Sequence, residues 1–312
     1  MGKFLLHLLL FFAVCFLSHN AKKVGCRSYE QTGQVVAGGN GYGSALNQFF
    51  TDRFYLDDSK NLYLLDRSSF YTCEWRFLLW SANSSQARLI SNACINGASS
   101  SLQDVLVSPD GKYKITGLGI GNDVVSQVRL VNGQNGFMLW SPAIVDNDKN
   151  IYAFGYAASS GRYELRKWTP ARNSPQDGIL IDSDRSIWGI SDFFVDSKGS
   201  VYTVGPNYVV VRKWTDGEIT YLTRNPKLNH PTSVLVDSEE NIYIGELNQI
   251  TVWPAKSNES FPVVKVNQSN GLVFNNNYKN IIQMDNNGSL YLLSTDRAVF
   301  GTKILKYQCN SE

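Results

Sequence analysis

The sequence predicts an all-β chain: a six-bladed β-propeller closed by an N-terminal strand that completes the last blade. Three observations carry this. First, a formula of three apolar residues, an acid, a polar turn and an apolar–Tyr pair recurs, as FYLDDSKNLYLL, AIVDNDKNIYAF, FFVDSKGSVYTV, VLVDSEENIYIG and IQMDNNGSLYLL, with VLVSPDGKYKI a looser copy. Second, the position after each triplet falls at Asp57, Ser108, Asp146, Asp196, Asp237 and Asp285, spaced by 38 to 51 residues, a period that marks blades or other stacked repeats. Third, apolar residues alternate with period 2 between tight turns and show no helical periodicity.

Taken in order, the chain opens with Lys3 and an apolar run from Phe4 to Leu17, followed by the polar Ser18-His19-Asn20. The run is shorter than the ~20 residues of a membrane span and has the layout of a secretory signal peptide. Residues 1–21 are therefore read as the signal, and 22–312 as one secreted domain with no membrane span after cleavage. With 29 basic and 27 acidic residues and no run of either sign, nothing suggests nucleic acid as a partner. Cysteine usage agrees with export: Cys26, Cys73, Cys94 and Cys309 follow the signal, an even number with no CxxC pair, as expected of disulfides rather than a zinc cage. Asn83, Asn258, Asn267 and Asn287 each head an Asn-x-Ser sequon and are expected to be glycosylated.

Each repeat reads as four strands. The apolar triplet is the first. A turn follows, with Asn61, Asn150, Asn241, Gly199 or Gly288 assigned to the left-handed position. The Ile-Tyr piece is the second strand. The third carries Trp80, Leu130, Trp168, Trp214, Trp253 or Tyr307, and the fourth is a short apolar run. The chain stops after the third strand of the sixth copy, and Gln34–Ala37 is a strand left over before the first, so the two can pair and close the ring. Cys26 and Cys309 flank that closure and are expected to be joined. Counting back from a hairpin tip at residues 81–86 places Cys73 opposite Cys94, the second expected bridge.

VVAGGNGYGSALNQF, followed by the repeated VDxxxNIY and RKW, closely resembles NHL-repeat propellers, especially secreted invertebrate ones, from Val35 to Tyr307. Ser108 and Leu130 depart from that pattern. The resemblance implies a propeller scaffold. Amidating lyases of that family use a histidine-bound metal, which His230, the sole histidine after the signal, does not supply.

The repeat carboxylates are expected to accept turn N–H groups rather than to catalyse. Gly38-Gly39-Asn40-Gly41-Tyr42-Gly43 lacks the Lys-Ser/Thr ending and the helix of a phosphate loop. Residues four and five before each repeat position are expected at one channel mouth. There Asp104, Asp192 and Asn280 offer oxygen ligands for calcium, the basis of an alternative reading as a lactonase-like or lyase-like hydrolase. The leading expectation is a scaffold, without turnover and without a cofactor, that binds an extracellular protein or glycan. Its binding face would carry Phe70, Tyr71, Tyr156 and Phe300, opposite the face that holds most of the sequons.

Overall fold

The computed structural model describes residues 26–310 apart from 52, 68–73, 95–104, 112, 116–136, 140–142, 158, 170–177, 184–189, 206–207, 216–217, 222–227, 258, 266–279 and 297–300. Among these, every regular element is a β-strand. Four antiparallel sheets have four strands each. The first repeat gives Phe54–Leu56, Leu62–Arg67, Glu74–Trp80 and Arg88–Cys94. The fourth gives Asp192–Val195, Val201–Gly205, Tyr208–Thr215 and Glu218–Tyr221. The fifth gives Ser233–Val236, Ile242–Gly245, Gln249–Trp253 and Phe261–Lys265. The closing sheet joins Ile282–Met284, Leu290–Asp296 and Gly301–Tyr307 to the N-terminal strand Gln34–Gly38.

This corrects the expectation of six equivalent four-stranded blades: among the described residues, four such blades are arranged round the axis. The second repeat contributes a two-stranded pair, Val105–Val107 with Tyr113–Ile115. The third forms a five-stranded sheet in which both Phe137–Leu139 and Ile144–Val145 pair with Ile151–Ala157. The second copy was also the looser one in sequence, with Ser108 in place of the acid and its tyrosine, Tyr113, one position early.

The turn after each inner strand has one geometry. The residue three places after the repeat position has positive φ in all six copies: Lys60 64°, Gly111 76°, Lys149 63°, Gly199 78°, Glu240 64° and Gly288 79°. Its N–H donates to the carbonyl of the repeat residue at 2.8–3.1 Å. The left-handed residues are therefore Lys60, Lys149 and Glu240, not Asn61, Asn150 and Asn241 as the sequence suggested. Those asparagines instead donate their side-chain N–H to the repeat carboxylate at 2.8–2.9 Å. Three copies thus hold a non-glycine residue in a strained region because an asparagine follows to anchor it.

The cores lie between neighbouring sheets. Phe49, Phe54, Leu78 and Trp80 pack against Ile281 and Leu293 of the closing sheet, and Tyr202 and Val204 pack against Val234 and Ile244 of the next sheet. Each fully buried large side chain contributes roughly 1.5–3 kcal/mol. The outer pairing carries a bulge in the first, third, fifth and closing sheets. The outer strands expose Leu89, Ile179, Leu180, Phe261 and Val35, and bulges there twist an otherwise sticky edge away from further pairing.

Closure involves both ends of the chain. Cys26 and Cys309 form a disulfide with Cα atoms 5.6 Å apart, beside a short pairing of Ser28–Tyr29 with Cys309–Asn310. Gln31 donates to Val263 O at 2.9 Å and accepts from Lys265 N at 3.3 Å, so the clasp also grips the fifth sheet. The chain leaves the closing strand at Gly38, where φ is +73° and an added Cβ would lie 2.7 Å from the Phe49 ring. In the first sheet, a bulge beside Leu78 shifts the register so that Glu74, not Cys73, lies opposite Cys94. Cys73 lies outside the described residues.

Candidate active site

The inner strands of all the sheets line an axial channel of about 370 Å³. Arg53 and Asp192, each four residues before a repeat Asp and so at equivalent positions of their repeats, both line it. The middle is lined by Tyr55, Leu56, Ile144, Phe194 and Met284, all half-buried, and the far end by Asp58, Pro109, Ser238 and Asn286 of the turns.

An inner strand has one edge without a strand partner, and its backbone groups must bond elsewhere. Two channel side chains serve this need. Gln283 donates to Phe54 O at 2.6 Å and accepts from Leu56 N at 2.8 Å. Asp192 accepts from Val234 N at 3.2 Å. Both reach from one inner strand to the edge of the next.

The expected calcium ligands do not assemble among the described residues. Asn280 is buried, with its carboxamide N–H groups on Glu246 O at 2.8 Å and Leu247 O at 3.3 Å. Asp192 is engaged with Val234 as above. Asp104 lies outside the described residues. Among the described residues, no three His, Cys, Asp or Glu side chains come together as a metal-ligand group. Among the described residues, the donors therefore do not form a cation cage.

The repeat carboxylates hold turns. Asp57, Asp146, Asp196, Asp237 and Asp285 each accept the N–H four residues on, at 2.8–3.0 Å. Tyrosines six residues on donate to Asp57, Asp196, Asp237 and Asp285 at 3.1–3.3 Å. Burial, followed by the nearby acids for Tyr202 and Tyr291 and by Tyr29 for Tyr243, pushes these phenols far above their ordinary range, so they stay protonated and donate. Neighbouring turns are also tied to one another, through Lys60 to Asp285 at 3.3 Å, Lys149 to Asp110 at 3.0 Å, and Lys198 to Glu240.

Of the expected binding aromatics, Phe70, Tyr71 and Phe300 lie outside the described residues. Tyr156 is half-buried, with its ring edge-on to Tyr163 at 5.5 Å between centroids. Asn83 and Asn287 are exposed, whereas Asn258 and Asn267 lie outside the described residues. His230 is exposed, with φ 50° and Nδ1 2.9 Å from Asn229 Oδ1.

Sequence reasoning missed a pair of buried carboxylates nine residues after the repeat position. Asp66 accepts Phe50 N at 2.6 Å and is paired with Arg76, Nε to Oδ2 at 2.8 Å. Arg76 also donates to Gly43 O at 2.9 Å and Gln48 O at 2.8 Å. Glu246 accepts Asn229 N at 2.5 Å and Gln249 Nε2 at 3.1 Å. Both acids anchor the loop that enters their sheet. The available signal was an acid at a strand position where the repeat is otherwise apolar or small.

No family model and no curated protein sequence matches the chain. Solved structures do match. A gluconolactonase from Xanthomonas campestris superposes with TM-score 0.55 at 13% identity, covering 92% of this chain and 100% of that one. A chain of the mitotic checkpoint complex gives TM-score 0.53 at 13% identity, covering 96% and 98%. Identities this low show a shared propeller fold and leave chemistry to the site. The NHL-repeat resemblance is corrected: no family model matches, and the shared folds are those of a gluconolactonase and a checkpoint-complex chain. The expectation of a binding scaffold without turnover, argued from the lone His230, is corrected too: the fold is one that a gluconolactonase also has. Among the described residues, no helix is long and apolar enough to cross a membrane.

Proposed function

We propose that this chain is a lactonase-like hydrolase that works in its axial channel. The observation that carries the reading is Arg53 and Asp192 on the channel wall, a cation and a carboxylate lining a cavity of about 370 Å³. The fold shared with a gluconolactonase over that enzyme's whole length supports it. In this reading Asp192, oriented by Val234 N–H, takes a proton from a water that attacks the lactone carbonyl carbon. Arg53 offsets the charge that grows on the carbonyl oxygen. The ring C–O bond then breaks, and the proton passes to the released alkoxide, giving a hydroxy acid.

Lactone hydrolysis followed by acid release tests this. Asp192→Asn keeps an oxygen for Val234 N–H but removes the base, and kcat is expected to fall by about 10²-fold or more. Unchanged turnover in Asp192→Asn, or no turnover of any lactone by the parent chain, would overturn the proposal.

Export, with removal of residues 1–21, belongs to the same proposal. It is supported by the Cys26–Cys309 disulfide and by the exposed sequons at Asn83 and Asn287. N-terminal sequencing of protein recovered from medium, with a glycosidase mobility shift, checks it. The Cys73–Cys94 bridge is likewise proposed, and disulfide-mapped peptides decide it.

A further inference from the structure

Resting on the hydrolase reading, we infer that the channel selects a medium-chain aliphatic lactone and rejects a polyhydroxylated sugar lactone. The wall below Arg53 and Asp192 is apolar: Tyr55, Leu56, Ile144, Phe194 and Met284 leave part of their side chains facing the cavity. The polar groups on the same wall already have partners within the protein. Gln283 uses its carboxamide oxygen on Leu56 N and its N–H on Phe54 O. Asp285 receives Asn287 N, Ser289 N and Tyr291 Oη at 2.9, 3.0 and 3.3 Å, with Lys60 beside it. Asp237 receives Glu239 N and Asn241 N, each at 2.9 Å. Hydroxyls of a sugar lodged at mid-channel would leave water and meet few unoccupied partners, which is unfavourable. An alkyl chain would lose nothing there and would cover the apolar ring.

Size gives a second limit. At roughly 30 Å³ for each water-sized unit, a cavity of about 370 Å³ holds on the order of a dozen heavy atoms. A five-membered lactone bearing a six-carbon chain is of that size. Its carbonyl would sit beside Arg53 and Asp192 and its chain would run down past Phe194 and Met284. Selectivity then comes from chain burial, and each added methylene should raise kcat/KM by about fourfold until the cavity is filled.

The test compares γ-butyrolactone, γ-octalactone, γ-decalactone and δ-gluconolactone as substrates, with calorimetric titration of γ-decalactam, a non-hydrolysed analogue. The expected result is a rise in kcat/KM from the four-carbon to the ten-carbon lactone, with gluconolactone at least tenfold below decalactone. Met284→Gln and Ile144→Asn should lower the decalactone value about tenfold, and with it the ratio of decalactone to butyrolactone turnover. Gluconolactone turned over as fast as decalactone would overturn the inference and leave the hydrolase reading standing. Decalactam binding without turnover of any lactone would keep the apolar channel and sink the hydrolase. Neither binding nor turnover would overturn both.

Discussion

The fifth sheet and the closing sheet share a strand order, and each carries an Asp-containing turn with a tyrosine six residues on, yet different forces assemble them. The fifth, Ser233 to Lys265, is a continuous meander in which each strand meets its chain neighbour. The closing sheet recruits its outer strand from residues 34–38, and its clasp spans 283 residues of sequence. A local meander pays a small loop entropy for each contact, whereas the closure pays for nearly the whole chain at once. The difference shows in the reinforcement. Asp285 of the closing sheet is fully buried, with Lys60 at 3.3 Å and Lys306 at 3.9 Å. Asp237 of the fifth sheet is half-exposed and is held by turn N–H groups, Asn241 and Tyr243.

The largest effect is expected from cutting the clasp. Cys309→Ser should cost about 2–5 kcal/mol, read as a lowered denaturation midpoint, with proteolysis beginning near residues 26–38. A loss under ~1 kcal/mol would show that strand pairing alone holds the ring.

The next comparison sets Asp285→Ala against Asp237→Ala. The former strips a buried acceptor from three donors and two lysines and should cost about 3–5 kcal/mol. The latter should cost about 1–3 kcal/mol. Equal losses in urea unfolding would mean that the lysines add nothing to closure.

A third test uses alkali. Burial pushes Tyr29 and Tyr307, both at the clasp, up to about 12. Their folded values exceed the unfolded value of about 10, so the stability they contribute is complete below pH 10. It is lost as pH rises through 12. Each should lower the unfolding free energy by on the order of 2 kcal/mol between pH 9.5 and 11.5, and Tyr307→Phe should remove one such share of the fall. An identical pH profile in the variant would place the sensitivity elsewhere.

The smallest effect is a gain. Glu240 holds φ 64° in the fifth sheet, where the closing sheet has Gly288 at 79°. Glu240→Gly should relieve about 1 kcal/mol of left-handed strain, seen as a slightly higher Tm. A lower Tm would show that the contact to Lys198 outweighs the strain.

What the sequence determined is what neighbouring residues settle among themselves. The Asp–turn–Tyr unit is legible because its hydrogen bonds join residues four to six apart, as from Asp57 to Asn61 and Tyr63. Strand alternation and the pairing of Gln34–Gly38 with Gly301–Tyr307 follow from the same counting. Counting also has definite failures. One bulged residue moved Cys94 from Cys73 to Glu74, because an insertion in one strand leaves no mark on apolar alternation. The left-handed residue was placed on Asn61 instead of Lys60, because the asparagine's part in the turn is made by its side chain. Tertiary structure alone decided the bonding inside the channel. The spacing put Asp192 at the channel mouth, but what it and Gln283 bond to shows only once the bare edge of the next inner strand is set beside them. Among the described residues, four blades of four strands, rather than six, are likewise seen only in the tertiary structure: a repeat formula fixes how a strand turns back on itself, not how many partners it acquires.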